Sequence, residues 1–149
     1  PKLEVRWDDS LESTGSATFN TLDVTGASDN FLYMIGLRDK YREAEKIKFR
    51  VGSRKQFVQK TFSTSVQTVS QSNIPLTSGS YSIMDVATGE TIIPFSDYTK
   101  LSCDATSNYF IQWMNGFQPN RVYKILYKLK YQDNQEQIFD NDFEFKVTR

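Results

Sequence analysis

The sequence predicts an all-β domain, an antiparallel sandwich or barrel, and three observations carry that expectation. Two long segments near the C-terminus alternate apolar and charged residues with a period of two. Aromatics make up 14% of the 149 residues, with 11 Phe and 8 Tyr, the residue types that suit pleated, half-buried surfaces. No segment holds a long helical period, and turn residues punctuate short apolar runs throughout.

In chain order, residues 1–30 read as an N-terminal extended arm or linker. Asp8-Asp9-Ser10 through Ala27-Ser28-Asp29-Asn30 is rich in Ser, Thr, Asp, Asn and Gly, with Leu11, Phe19, Leu22 and Val24 interspersed, and one short strand is expected over Thr18–Val24. Residues 31–149 form the sandwich domain. Phe31-Leu32-Tyr33-Met34-Ile35-Gly36-Leu37 reads as a buried strand, and Arg38–Lys46 as a turn or a single helical turn. Ile47-Lys48-Phe49-Arg50-Val51 alternates apolar with basic, the pattern of a strand with one wet face, and Phe57–Thr64 continues in that style. Ser65–Ser80 is a polar connection broken by Pro75 and Gly79. Tyr81–Val86 and Thr91–Phe95 flank the turn Ala87-Thr88-Gly89-Glu90 as a hairpin, with Pro94 placing the second arm at an edge or a strand end.

The last third is the most regular. Asn108–Met114 is a strand whose Trp113 is expected in the core. Tyr123, Ile125, Tyr127, Leu129 and Tyr131 share one face of the next strand, opposite Lys124, Lys128 and Lys130. Asp133-Asn134-Gln135 closes a hairpin into a strand with Phe139, Phe143, Phe145 and Val147 on one face, Asn141 being the polar exception. Asp140, Asp142 and Glu144 lie on its other face, where cross-strand pairing with the lysine row accounts for both rows without a metal ion.

Composition excludes several function classes. Lys and Arg total 18 against 18 Asp and Glu, so the basic balance of a nucleic-acid binder is missing. The chain has no histidine, which removes Ser-His-Asp and Cys-His nucleophile systems and the commonest metal ligand. The single cysteine, Cys103, forms no internal disulfide, and Asp104 beside it raises its thiol pKa, so a buried inert thiol in a chain folded in a reducing cytosol is expected. No run approaches membrane-spanning length, and Pro1-Lys2-Leu3-Glu4-Val5-Arg6-Trp7 has no apolar stretch of targeting length. The chain opens on Pro1 rather than Met, and both a processed start and a piece of a longer protein stay open. No catalytic residue, cofactor, metal, nucleic acid or membrane is expected.

The segment Phe117-Gln118-Pro119-Asn120-Arg121-Val122-Tyr123 leads into an alternating strand, with two strands left in the chain. It resembles the tyrosine corner of fibronectin type III and immunoglobulin-like domains, in which a Tyr at the start of the penultimate strand hydrogen-bonds back to the backbone upstream. That resemblance implies an immunoglobulin or fibronectin type III-like sandwich with Phe117, Pro119 and Tyr123 as the structural corner. The antibody-type cysteine pair is missing.

A wider likeness covers roughly residues 31–149. Tyr81–Val86, Glu90–Phe95, Lys100-Leu101-Ser102-Cys103-Asp104, Tyr109-Phe110, Asn115–Pro119 and Phe143–Val147 are similar in phrasing to a virion structural protein of large contractile-tailed marine phages, the cyanophage myoviruses. The resemblance implies a non-catalytic component of the particle, made in the host cytoplasm and held in multiple copies against other virion proteins. Trp7, Phe19 and Leu22 are the candidate assembly contacts, because an arm so poor in apolar residues needs a surface to order against. The alternative from aromatic content is a carbohydrate-binding sandwich for host-surface attachment, which would show two or three coplanar exposed rings.

Overall fold

The computed structural model describes residues 20–22, 29–57, 62–66, 69–75 and 77–149. They are all-β. In chain order the strands are β1 (Asn20–Thr21), β2 (Asn30–Ile35), β3 (Lys40–Arg42), β4 (Lys46–Lys55), β5 (Ser72–Asn73), β6 (Gly79–Asp85), β7 (Thr91–Ile93), β8 (Ser102–Cys103), β9 (Asn108–Trp113), β10 (Val122–Lys130) and β11 (Glu136–Thr148). Among the described residues the only helical pieces are two 3-10 turns, Asp97–Thr99 and Met114–Gly116.

The strands form two sheets. One runs β3-β11-β10-β6-β7; the other runs β1-β5-β4-β9-β8, with β2 on the remaining edge of β4. Most pairs are antiparallel, the parallel ones being β1 with β5 and β3 with β11. The core lies between the sheets: Leu32, Phe49, Val51 and Phe110 from one meet Tyr81, Ile83, Tyr123, Ile125, Tyr127 and Phe145 from the other. In β10 the apolar positions Tyr123, Ile125, Tyr127 and Leu129 are buried and the residues between them are not, so the period of two in the sequence is the period of burial.

Between β10 and β11 the register steps from Ile125↔Phe143 to Tyr127↔Phe139, so four residues of β11 span two of β10. Asp142 takes up the irregularity with φ 54°. Because the excess is an even number of residues, Phe139 and Phe143 keep the same facing, and the alternation survives the bulge.

The structure departs from the sequence reading at four places. Arg38–Lys46 holds a strand, β3, and not a simple turn: Tyr41 is buried, edge-on to Phe49 and Phe145 with ring centroids at 5.4 and 5.7 Å, while charged neighbours hide it from any pattern three residues long. Phe57 and Phe62 are exposed and belong to no strand; residues 58–61 between them lie outside the described residues. The polar connection Ser65–Ser80 contains β5, held to β4 by the Ser53 hydroxyl donating to the Ser72 carbonyl at 2.7 Å. Finally, the short strand expected within Thr18–Val24 is β1, which pairs with β5, and Leu22 joins the core, so the sandwich takes in residues before 31.

Candidate interaction face and tyrosine corner

Tyr123 enters β10 fully buried. Its hydroxyl accepts the Gln118 amide N–H at 2.8 Å and donates to the Gln118 carbonyl at 3.3 Å. The Phe117 ring packs edge-on against it at 4.8 Å. Pro119 directs the chain away from Gln118 with a fixed φ, and Asn120 follows at φ 64°, its amide bonded to the Val147 carbonyl at 2.7 Å. Phe117 and Tyr123 are therefore brought together as a structural corner, with Pro119 in the short segment that connects them. Tyr123→Phe keeps the ring and strands the Gln118 amide, so a loss of about 1–2 kcal/mol is expected in denaturant unfolding.

Of the candidate assembly contacts, Trp7 and Phe19 lie outside the described residues. Leu22 is 2% exposed and sits in the core, its amide donating to the Asn73 carbonyl at 2.7 Å. This corrects the expectation that Leu22 meets a neighbour. Two residues of β1 add to β5, and the next side chain turns into the sandwich.

The larger site is the outer face of β2, β4 and β9, of which the residue patterns showed only the basic row of β4. Alternate residues of β4 point outward there: Lys46, Lys48, Arg50, Gly52 and Arg54, while Phe49 and Val51 point in. Phe31, Tyr33 and Ile35 of β2 flank this row at Arg54, Gly52 and Arg50. Tyr109, Ile111 and Trp113 of β9 flank it at Arg50, Lys48 and Lys46. Phe31 and Ile35 are 38% exposed, Ile111 46% and Trp113 52%. Trp113 is thus a surface residue and not the core residue expected. The run Asn108–Trp113 carries Tyr109, Ile111 and Trp113 on one face and Asn108, Phe110 and Gln112 on the other, so hydrophobicity alone points to the wrong face as the buried one.

Two local devices shape the face. Tyr33 lies flat across β4 over Gly52, where a Cβ would sit 2.3 Å from the Tyr33 ring; only glycine leaves room. The cations lie on rings: Arg54 is 4.6 Å from the Phe31 centroid, Lys48 3.7 Å from Tyr109 and Lys46 5.2 Å from Trp113. Asp104 is the carboxylate that meets the row, at 3.2 Å from Lys48 and 2.8 Å from Arg50. Arg50 also donates to the Thr106 and Ser107 hydroxyls, both at 2.8 Å.

Burial alone would lift the Asp104 carboxyl, but hydrogen bonds from the Thr106 hydroxyl and amide, the Ser107 amide and Lys48 outweigh it and hold the carboxyl well below the usual carboxylate range. On the far side of the sandwich, Asp85 is held low by Arg121 at 2.6 Å, helped by the Ala87 and Thr88 amides. Both folded-state values lie below those of the unfolded chain. Their stabilisation is therefore complete above the ordinary carboxylate value of 3.8 and is lost as pH falls through the lower folded values. Melting temperature is expected to hold level through mildly acidic pH and drop below that window; Asp104→Asn should flatten the drop.

The outer face of the opposite sheet is charge-balanced within itself. Lys124 lies 3.0 Å from Asp140 and 3.5 Å from Asp142, and Lys128 lies 3.3 Å from Glu136. A polar cleft of about 280 Å³ beside it is lined by Ser80, Phe95, Lys100, Lys128, Lys130 and Glu136. Cys103 is buried, and burial, with the Asp104 charge, pushes its thiol up to about 11, so it stays a protonated, poor nucleophile. Among the described residues no group of three or more His, Cys, Asp and Glu side chains is placed to hold a metal ion, and no helix is long and apolar enough to cross a membrane. Comparison with family models, curated proteins and solved structures found no match.

Proposed function

We propose that this domain is a non-catalytic structural component of a phage particle, an immunoglobulin-like sandwich that works through protein–protein contacts with other virion proteins. The strand order supports the fold reading. Reading β2, β4, β9 and β8 as strands A, B, E and D, and β3, β11, β10, β6 and β7 as A′, G, F, C and C′, favours immunoglobulin connectivity, with β1 and β5 as additions to the first sheet. The corner at Tyr123 then falls where strand F begins.

The observation that carries the functional reading is the outer face of β2, β4 and β9. Phe31, Ile35, Ile111 and Trp113 stand in the open around a row of cations, a composition suited to being covered. The placement in a virion rests on the likeness of residues 31–149 to myovirus structural proteins. The near-parallel Phe31 and Tyr33 rings, 24° apart, favour a carbohydrate platform as a second reading, but Arg54 already covers Phe31.

Mass spectrometry and immunogold labelling of particles purified from a lysate of the phage carrying this gene test the proposal. The protein is expected in the particles, at a fixed position and in many copies. Its recovery only from the soluble fraction of the host would overturn the reading, and binding on a glycan array abolished by Phe31→Ala would favour the second.

A further inference from the structure

We propose that the outer face of β2, β4 and β9 is the docking site for residues 3–12 of a second copy of this chain. The inference rests on the reading of the protein as an assembly component and names the surface and the partner.

The charges come first. Lys46, Lys48, Arg50 and Arg54 project from one strand face, and Asp104 meets only Lys48 and Arg50. No carboxylate of the described residues pairs with Lys46 or Arg54, which rest on Trp113 and Phe31. The chain as a whole is neutral, so this excess of positive charge is balanced elsewhere. Residues 1–19 carry Glu4, Asp8, Asp9 and Glu12 against Lys2 and Arg6, and Trp7–Glu12 holds three carboxylates with no cation. The same segment offers Leu3, Val5, Trp7 and Leu11 to Ile35, Ile111 and Trp113. Acid meets base and apolar meets apolar.

The direction of the chain selects a neighbour's face over its own. β1 runs parallel to β5, and β5 antiparallel to β4, meeting it at Ser53, beyond the stretch Lys46–Val51 that β9 occupies. The chain therefore enters β1 from beyond the Lys55 end of β4, and Leu22, seated in the core, pins that point. A copy stacked past the Lys55 end lies in line with the start of β1, whereas the chain's own face lies in the opposite direction. Such a contact joins two different surfaces and repeats head to tail, building a ring or a filament.

The capped rings argue against a base or a sugar. Arg54, Lys48 and Lys46 occupy the faces of Phe31, Tyr109 and Trp113, where such ligands would stack. What the face presents outward is N–H donors, the complement of carboxylates.

The test uses the full chain. Equal amounts of unlabelled and nitrogen-15 protein are mixed at low salt, cross-linked with a carbodiimide and digested. Cross-links from Asp8, Asp9 or Glu12 to Lys46 or Lys48 are expected in mixed-label pairs. Same-label pairs alone would mean that the segment covers its own face, and the proposal falls. In sedimentation velocity, K46E with R54E is expected to lose the self-association of the parent, as is D8K with D9K and E12K, and combining both sets is expected to restore it. Circular dichroism confirms that each variant folds. A parent that stays monomeric at every concentration, or a face that binds single-stranded RNA or an acidic oligosaccharide in place of its own chain, would overturn the proposal. Neither result bears on whether the protein is found in particles, so the two readings fail separately.

Discussion

Phe110→Ala is expected to destabilise the domain by about 3–5 kcal/mol, the range for emptying a large aromatic site in a packed core. The Phe110 ring spans the two sheets: it stacks on Tyr81 at 3.7 Å with 15° between planes and on Phe49 at 5.1 Å, and meets Tyr127 edge-on at 6.4 Å. These neighbours are themselves anchored, Tyr127 by its hydroxyl donating to the Met34 sulfur at 2.8 Å, so the cavity has little means of collapsing. The measurement is the urea midpoint at unchanged slope. Ile111→Ala is the control. One residue along β9 it faces outward and stands 46% exposed, and a change within about 0.5 kcal/mol is expected there. Equal losses at both positions would mean that the facing of β9 is not as described.

The second large effect is expected at Asn108, the fully buried first residue of β9, where the neighbour along β4 changes from β9 to β5. Its side-chain amide closes a two-bond ring with one backbone unit: the Oδ1 accepts the Ile74 N–H at 2.8 Å and the Nδ2 donates to the Ile74 carbonyl at 2.9 Å. The side chain stands in for a strand residue where the ladder along β4 is interrupted. Asn108→Leu preserves volume and leaves both Ile74 groups buried without partners. At about 1–3 kcal/mol for each stranded group, the loss is expected at about 2–5 kcal/mol. Asn108→Asp separates donor from acceptor. As a carboxylate it still accepts from the Ile74 amide but cannot donate to the carbonyl; as the acid it can do both. Burial raises its pKa, so this variant should be less stable at neutral pH and recover on acidification, opposite in sign to Asp85 and Asp104. A flat pH profile would show that the donor half of the ring carries no stability.

How much of this was legible in the chain depends on whether burial wrote itself into a period. In β10 and β11 one face is packed and the other carries lysines and carboxylates, so Tyr123 to Leu129 and Phe139 to Val147 could be assigned a facing directly. The corner was legible because it is local: Phe117, Pro119 and Tyr123 lie within seven residues. The outer face of β2, β4 and β9 was legible only along β4, where basic residues alternate with apolar ones. In β9 the outward face, Tyr109, Ile111 and Trp113, is more apolar than the inward one, Asn108, Phe110 and Gln112, so Trp113 reads as core, and β2 reads as a continuous buried run although Phe31 and Ile35 are open to water. An exposed face this rich in apolar residues looks like a core to any rule based on hydrophobicity. The strands β3 and β5 escape for a different reason. They are two or three residues long, and they are held by partners distant in sequence, as Ser72 is by Ser53.

The parallel pairing of β3 with β11 also decides how the domain bears a mechanical load. The Glu43 amide bonds the Thr148 carbonyl and the Lys146 amide bonds the Asp39 carbonyl, both at 2.8 Å. Tension applied to the chain before β3 and after Thr148 draws these neighbours in opposite directions along a shared axis. The bonds between them lie across that axis and are strained together, in shear, whereas an antiparallel pair opened from its end would unzip rung by rung. The pairing ties residues 39–43 to the last strand, so a pull taken up after Thr148 is resisted by these bonds together and not one after another.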